Sequence, residues 1–203
     1  MTRDALRQEI SLVVGKRLRH ILGTEEECLR LAAIFSLSEK ETEQLATAAL
    51  LHDITKRFSR EEHLAYLQDK GVSVGEDFLR AEKTLHALSG AHYAREHYPD
   101  VTDGAVFDTI LCHTTARADM TLLQKLLYLA DYIEPNRTFP DCVTLRQYFY
   151  GRIEGGDDPR AVLHDTLVLS FDMTISDLLK ARCPIHSDTV AAWNFLTSKG
   201  EKA

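Results

Sequence analysis

Nine of the 203 residues are histidines, and those able to do chemistry are the ones whose spacing puts them on a helix face that should be buried. Leu45, Ala48, Ala49 and His52 recur at helical spacing, so His52 continues an apolar stripe, with Asp53 beside it. Leu123, Leu126, Leu127 and Ala130 make a second stripe, and Asp131 falls one turn beyond Leu127. His20 extends a stripe of Leu6, Ile10, Val13 and Val14, and His113 extends one through Val106 and Ile110. His86 precedes Ser89, Gly90 and Ala91, whose small side chains permit close helix packing. A carboxylate on a buried stripe has to be paired or bind a cation. One such residue reads most simply as a salt-bridged core aspartate. Five helices that each carry a His or Asp point instead to one shared centre. Imidazole and carboxylate together suit Fe, Mn, Co or Zn better than Mg or Ca. An ion in such a centre can activate water and neutralise charge on an attacked group. No GxSxG elbow or P-loop offers another route.

The elements that must position these residues are helices. The periodicity predicts a first helix over 3–22, closed by Gly23, and a second opened by Glu25–Glu27 and running to about Leu37. Ser38 with Glu41, and Ser59 with Glu62, are capping-box pairs that open helices over 39–54 and from 60 to about Gly71. Further helices are expected at 76–97, 104–116 and 121–133, the last stopped by Pro135. A loop of turn formers covers 135–144, then come a short helix near 144–150, a Gly-Gly-Asp-Asp-Pro break, a long helix over 159–181 and a final helix from Ser187. The expected fold is all-α: a helical bundle with additional C-terminal helices. The chain reads as one domain, 1–203, with the chemical core at about 5–137 and helical cover at about 138–200.

Composition narrows the functions. A net charge of −7 excludes a protein that coats nucleic acid through a broad basic surface, yet leaves room for a nucleotide held by a metal and a few local cations. Cys28, Cys112, Cys142 and Cys183 form no CxxC pair and read as reduced thiols. No run approaches the ~18 apolar residues of a membrane span, and no leader is visible, so the cytoplasm is the expected location and a membrane is not an expected partner. His63, His92, His97, His164 and His186 read as surface or ordinary core residues. The oligomeric state is left open.

The order His20, His52-Asp53, His86, His113, Asp131 resembles that of the HD-domain phosphohydrolases. More narrowly, Arg19-His20-Ile21-Leu22-Gly23, His113-Thr114-Thr115, Met120-Thr121 and Leu129-Ala130-Asp131-Tyr132-Ile133-Glu134-Pro135-Asn136-Arg137 resemble the YqeK family of bacterial HD-domain enzymes, over residues 5–196. That resemblance implies symmetric hydrolysis of diadenosine tetraphosphate to two ADP, so the expected ligands are a dinucleoside polyphosphate and ADP. It implies iron, with Mn, Co or Zn as alternatives, held by His20, His52, Asp53 and Asp131. Asp53 would bridge to a second metal or to a phosphate near His86 and His113, which bind one or the other. Lys56, one turn after His52, and Arg137, just past the Pro135 turn, would meet phosphate. Thr114 would hydrogen-bond it, and Gly23 would lie beside the substrate. Asp53, Lys56, His86 and His113 are the expected catalytic groups. Glu134 would orient Arg137 or back up a ligand. The chain departs from the family pattern at Thr24, where Val is usual, at Leu88-Ser89, where Pro-Val is common, and at Ala116-Arg117, where Gly-Arg is common. Competing readings are another HD-family nucleotidase or cyclic-dinucleotide phosphodiesterase, and a nucleotide-binding module without turnover.

Overall fold

The computed structural model describes residues 1–198, which fold into eleven α-helices without a strand among the described residues. In chain order these are α1 (Arg3–Val13), α2 (Leu18–Ile34), α3 (Glu39–Leu51), α4 (Arg60–Asp69), α5 (Glu76–Arg80), α6 (Leu85–His97), α7 (Gly104–Cys112), α8 (Leu122–Ile133), α9 (Pro140–Glu154), α10 (Pro159–Lys180) and α11 (Ser187–Thr197). The expected all-α class is what forms. None of the described helices is long and apolar enough to cross a membrane.

Helix α3 is the hub. It packs against α1, α2, α6, α7 and α8, and from Leu45 to Leu51 every side chain on it is buried. A helix apolar on all sides is stable only when surrounded, and these five neighbours surround it. The capping boxes at Ser38/Glu41 and Ser59/Glu62 form as expected, and a third, Thr121/Gln124, starts α8. Helices α9, α10 and α11 lie over α8: α9 and α10 pack on it, and α11 packs on α10.

The first expected boundary is wrong, for a physical reason. The chain breaks at Gly15, whose φ of +55° favours a residue without a side chain. A 3₁₀ turn over Gly15–Arg17 then leads into α2. Gly23, expected to end a helix, lies inside α2, and His20 therefore belongs to the first turn of α2 rather than to the stripe of α1. Glu25 and Glu27 do not open a helix either. Both are buried in the middle of α2, where each has a partner. Arg7 grips Glu25 with Nε and Nη2 at 2.8 and 2.7 Å, and Tyr150 donates to Glu27 at 2.5 Å. These bonds tie α2 to α1 and to α9.

Other boundaries shift too, among them that of the helix expected over 39–54, which ends at Leu51. The expected helix over 76–97 is interrupted by a 3₁₀ turn at Glu82–Thr84, and the one over 104–116 stops at Cys112. Pro140 opens α9 instead of prolonging a loop, because the first helical position is where its missing N–H costs nothing.

Gly23 is inside a helix because of what it faces. A Cβ there would collide with the Glu134 carboxylate and come within 2.6 Å of Asn136 Nδ2. Alanine normally favours a helix over glycine by about 1 kcal/mol. Here Gly23→Ala should instead lower stability by about 1–3 kcal/mol, the usual cost of overpacking, as read by urea denaturation. A stability equal to or above that of the parent would mean that Glu134 and Asn136 move aside freely.

Candidate metal centre

Three histidines reach the centre by the same local device. His52 and His113 sit at the C-terminal caps of α3 and α7, and His86 is the second residue of α6. Each turns Nδ1 back onto a carbonyl three residues upstream: His52 to Ala49 at 2.6 Å, His86 to Lys83 at 2.8 Å, His113 to Ile110 at 2.7 Å. A carbonyl can only accept, so Nδ1 carries the proton and Nε2 keeps its lone pair, pointing inward. His20 is oriented by a carboxylate instead, its Nδ1 lying 3.2 Å from Glu134 Oε1.

The inward nitrogens meet two aspartates. His20 Nε2 lies 2.9 Å from Asp131 Oδ1 and 3.3 Å from His52 Nε2. His52 Nε2 lies 3.6 Å from Asp53 Oδ2 and 3.7 Å from Asp131 Oδ1. The other oxygen of Asp53, Oδ1, faces His86 Nε2 at 3.4 Å and His113 Nε2 at 3.9 Å, and those two nitrogens are 3.1 Å apart. Asp53 thus stands between two pairs of imidazoles. Donor atoms fall into two overlapping triads, His20/His52/Asp131 and His52/Asp53/His113.

This donor set fits a metal. Two neutral imidazoles cannot present lone pairs to each other at 3.3 or 3.1 Å unless a proton or cation lies between them. Donors about 2.0–2.2 Å from one ion stand roughly 3–3.5 Å from each other, close to the separations found. The Nδ1 bonds are the outer contacts that metal-binding histidines normally have.

Cations surround the cluster. Lys56 Nζ lies 2.9 Å from His86 Nε2 and 3.7 Å from Asp53 Oδ1. Arg137 donates to Asp131 Oδ1 at 2.5 Å, and Thr114 Oγ1 is 3.0 Å from both His86 Nε2 and His113 Nε2. Every residue expected at the centre is therefore present there except Gly23, which packs on Glu134 and Asn136. Glu134 bonds His20 and the Asn136 N–H, not Arg137. Arg17 was missed: its Nη2 bonds Asp53 Oδ2, while its buried Nε has no partner, and the same is true of the Arg137 Nε. No stripe marks Arg17, since it sits on the 3₁₀ turn ahead of α2. Its one sequence signal is its place three residues before His20. Of the histidines set aside, His63 and His186 are buried. The departure at Ala116 falls at a φ of +58°, a left-handed conformation that costs a side-chain-bearing residue roughly 1–2 kcal/mol relative to glycine.

Burial governs the electrostatics. Loss of hydration pushes His52 down to about 4, and pushes His86 and His113 below the usual imidazole range. Burial alone would also lower His20, but its hydrogen bonds to Asp131 and Glu134 outweigh that and raise it. The same loss of hydration works against ionised Asp53 and Asp131. The charges of His52, His86 and Lys56 on the first, and of Arg137 with the His20 hydrogen bond on the second, reverse it and hold both below the carboxylate range. Lys56 is lowered by its burial.

Comparison with known proteins gives this arrangement a context. The HD domain family matches residues 17–136. A symmetrical bis(5'-nucleosyl)-tetraphosphatase of Halalkalibacterium halodurans is 33% identical over 180 residues, covering 89% of this chain and 88% of that protein. One of Bacillus subtilis is 31% identical, covering 90% of each. The crystal structure of a predicted HD superfamily hydrolase involved in NAD metabolism from Clostridium acetobutylicum superposes with a TM-score of 0.81 at 31% identity, covering 97% of both chains.

The depressed imidazoles fix how the metal-free fold responds to pH. An unfolded chain protonates His52 near 6.5, whereas the folded chain resists until about 4. That stabilisation is complete above pH 6.5 and is lost as pH falls towards 4, by about 3 kcal/mol for His52 alone. His86 and His113 act in the same direction, while His20, being raised, contributes below 6.5 and fades as pH rises. Urea denaturation in the presence of a chelator should show stability falling across this window, with a shallower fall in His52→Gln. Equal slopes in the two proteins would refute the assignment.

Proposed function

The chain belongs to the HD domain family, and from that premise we propose that it is a metal-dependent phosphoanhydride hydrolase that cleaves diadenosine tetraphosphate symmetrically into two ADP. The observation that carries the reading is the inward convergence of four imidazole Nε2 atoms on two aspartates, in a chain whose relatives over about nine tenths of their length bear that activity in their names. His20, His52, Asp53 and Asp131 hold the metal. Iron is the proposed ion, with Mn, Co or Zn able to use the same ligands. When bound, the ion supplies Lewis-acid polarisation of the attacked phosphoryl group.

The remaining groups act on phosphate. Lys56 and Thr114 offer an ammonium and a hydroxyl within 3.0 Å of His86 Nε2, donors that a phosphate oxygen can accept from, while the Nε2 lone pairs of His86 and His113 serve a second metal, or a phosphate oxygen once Nε2 takes up a proton. Asp53, between the two imidazole pairs, orients both groups at once. Arg137, and with it Arg17, can turn the unpartnered part of its guanidinium towards the phosphate chain. Phosphoryl transfer depends on such positioning and charge stabilisation more than on covalent chemistry. The departing diphosphate carries negative charge that these cations stabilise. Gly23 serves the site indirectly, by admitting the Glu134 that orients His20. The C-terminal helices from about 138 onwards are read as cover for the catalytic core, and the cytoplasm as the place of action.

Hydrolysis of diadenosine tetraphosphate by the metal-loaded protein in water enriched in heavy oxygen should give ADP as the sole nucleotide, carrying the label. Equal amounts of AMP and ATP would mean that cleavage is asymmetric and would overturn the reading. Asp131→Ala should lower bound metal and nearly abolish turnover, as metal analysis alongside the activity assay will tell. Full metal content in that variant would remove Asp131 from the ligand set.

A further inference from the structure

The side of the cluster formed by Lys56 and His86 does not end at those residues. A cavity of about 290 Å³ opens beside them, and its far wall is made by Phe58, Arg60 and Lys83, with His63 and Glu82 completing it. We propose that this cavity is the subsite for the leaving half of a dinucleoside polyphosphate, with Arg60 and Lys83 holding the phosphates beyond the cleaved bridge. The inference rests on the hydrolase reading above and extends it to where the second half of the substrate lies.

Charge is the first argument. On a chain of net charge −7, the cavity gathers Lys56, Arg60 and Lys83 against a single carboxylate, Glu82, which pairs with Arg60 at 3.3 Å. Such a concentration of positive charge at a recess focuses the field on anions. The wider groove lined by Asp141, Asp172, Asp177 and Lys180 has the opposite balance and suits no phosphate chain.

Continuity is the second. Lys56 belongs to both places: its ammonium reaches His86 and Asp53, and the residue lines the cavity. A polyphosphate leaving the cluster past Lys56 therefore enters the cavity directly. Its floor is fixed, because His63 Nδ1 lies 2.7 Å from Ser89 Oγ, Ser89 lies 2.8 Å from Thr55 Oγ1, and Thr55 donates to the His86 carbonyl at 3.1 Å. The same chain that positions His86 thus shapes the recess. Phe58, packed against His63 at 5.6 Å between ring centres, gives the wall an apolar surface for the sugar or base.

The test is calorimetric binding of a methylene-bridged, non-hydrolysable diadenosine tetraphosphate and of ADP to the metal-loaded protein. The variants are Arg60→Ala combined with Lys83→Ala, and Lys83→Glu alone. Both positions are on the surface, so the fold is retained. The Kd for the dinucleotide should rise at least about tenfold in each variant, while that for ADP, which the cluster holds without the distal half, should stay at the parent value. Unchanged affinity for the dinucleotide would remove the cavity from the substrate path and leave the hydrolase reading standing. An equal loss for ADP would place the retained half here and overturn the assignment. Failure of the parent protein to bind the dinucleotide at all would overturn the hydrolase reading itself.

Discussion

A carboxylate without water around it needs positive charge or hydrogen bonds on every side, and Asp53 is the point from which the rest of this molecule is arranged. It is buried at the end of the most enclosed helix, and its two oxygens face different pairs of imidazoles. His52, His86 and His113 have Nδ1 committed to backbone carbonyls, so only their Nε2 lone pairs can turn inward, and Glu134 holds His20 at its Nδ1. An anion ringed by lone pairs is unstable unless cations are near. Arg17, Lys56 and Arg137 supply part of the charge, and the proposed ion supplies the remainder.

The helices outside the cluster hold this arrangement in place by bonding backbone that would otherwise be loose. The segment after α8 carries Glu134 and Arg137, and it is not part of any helix. Arg146, on α9, donates to the carbonyls of Ile133 and Arg137 at 2.6 and 2.8 Å, closing the open end of α8 and fixing the turn. The Asn136 side chain returns to α2, accepting from Arg19 at 2.8 Å and donating to the Arg19 carbonyl at 3.2 Å. Glu134 then reaches His20 across the gap that Gly23 leaves open. His20 on α2 is thereby oriented by the loop after α8, which α9 in turn fixes.

Net charge describes the solvent-facing surface of this protein and says little about its recess. The acidic residues lie largely on exposed helix faces, whereas basic side chains line the approach to the cluster and the cavity beside it. An overall negative chain is thus compatible with a polyanionic substrate, since Coulomb interactions in a partly enclosed site exceed those across solvent.

The sequence by itself determined the helical class, two of the capping boxes, and the polar residues at the cluster, because helical period and cap chemistry are local properties of the chain. His52, His113 and Asp131 were legible as polar positions on apolar stripes, and the family resemblance ordered the six ligand-type residues. What only the tertiary structure decided depends on residues far apart in the chain. Gly23 looked like a helix end because glycine usually is one, yet the side chains it must admit come from more than 110 positions later, as the 114-residue separation of His20 and Glu134 illustrates. Glu25 and Glu27 looked like a helix start because their partners, Arg7 and Tyr150, are invisible to any local pattern. Arg17 belongs to no stripe, and its contact with Asp53 exists only because the Gly15 turn redirects the chain. Spacing along a helix fixes which way a side chain faces, and only packing fixes what it meets there.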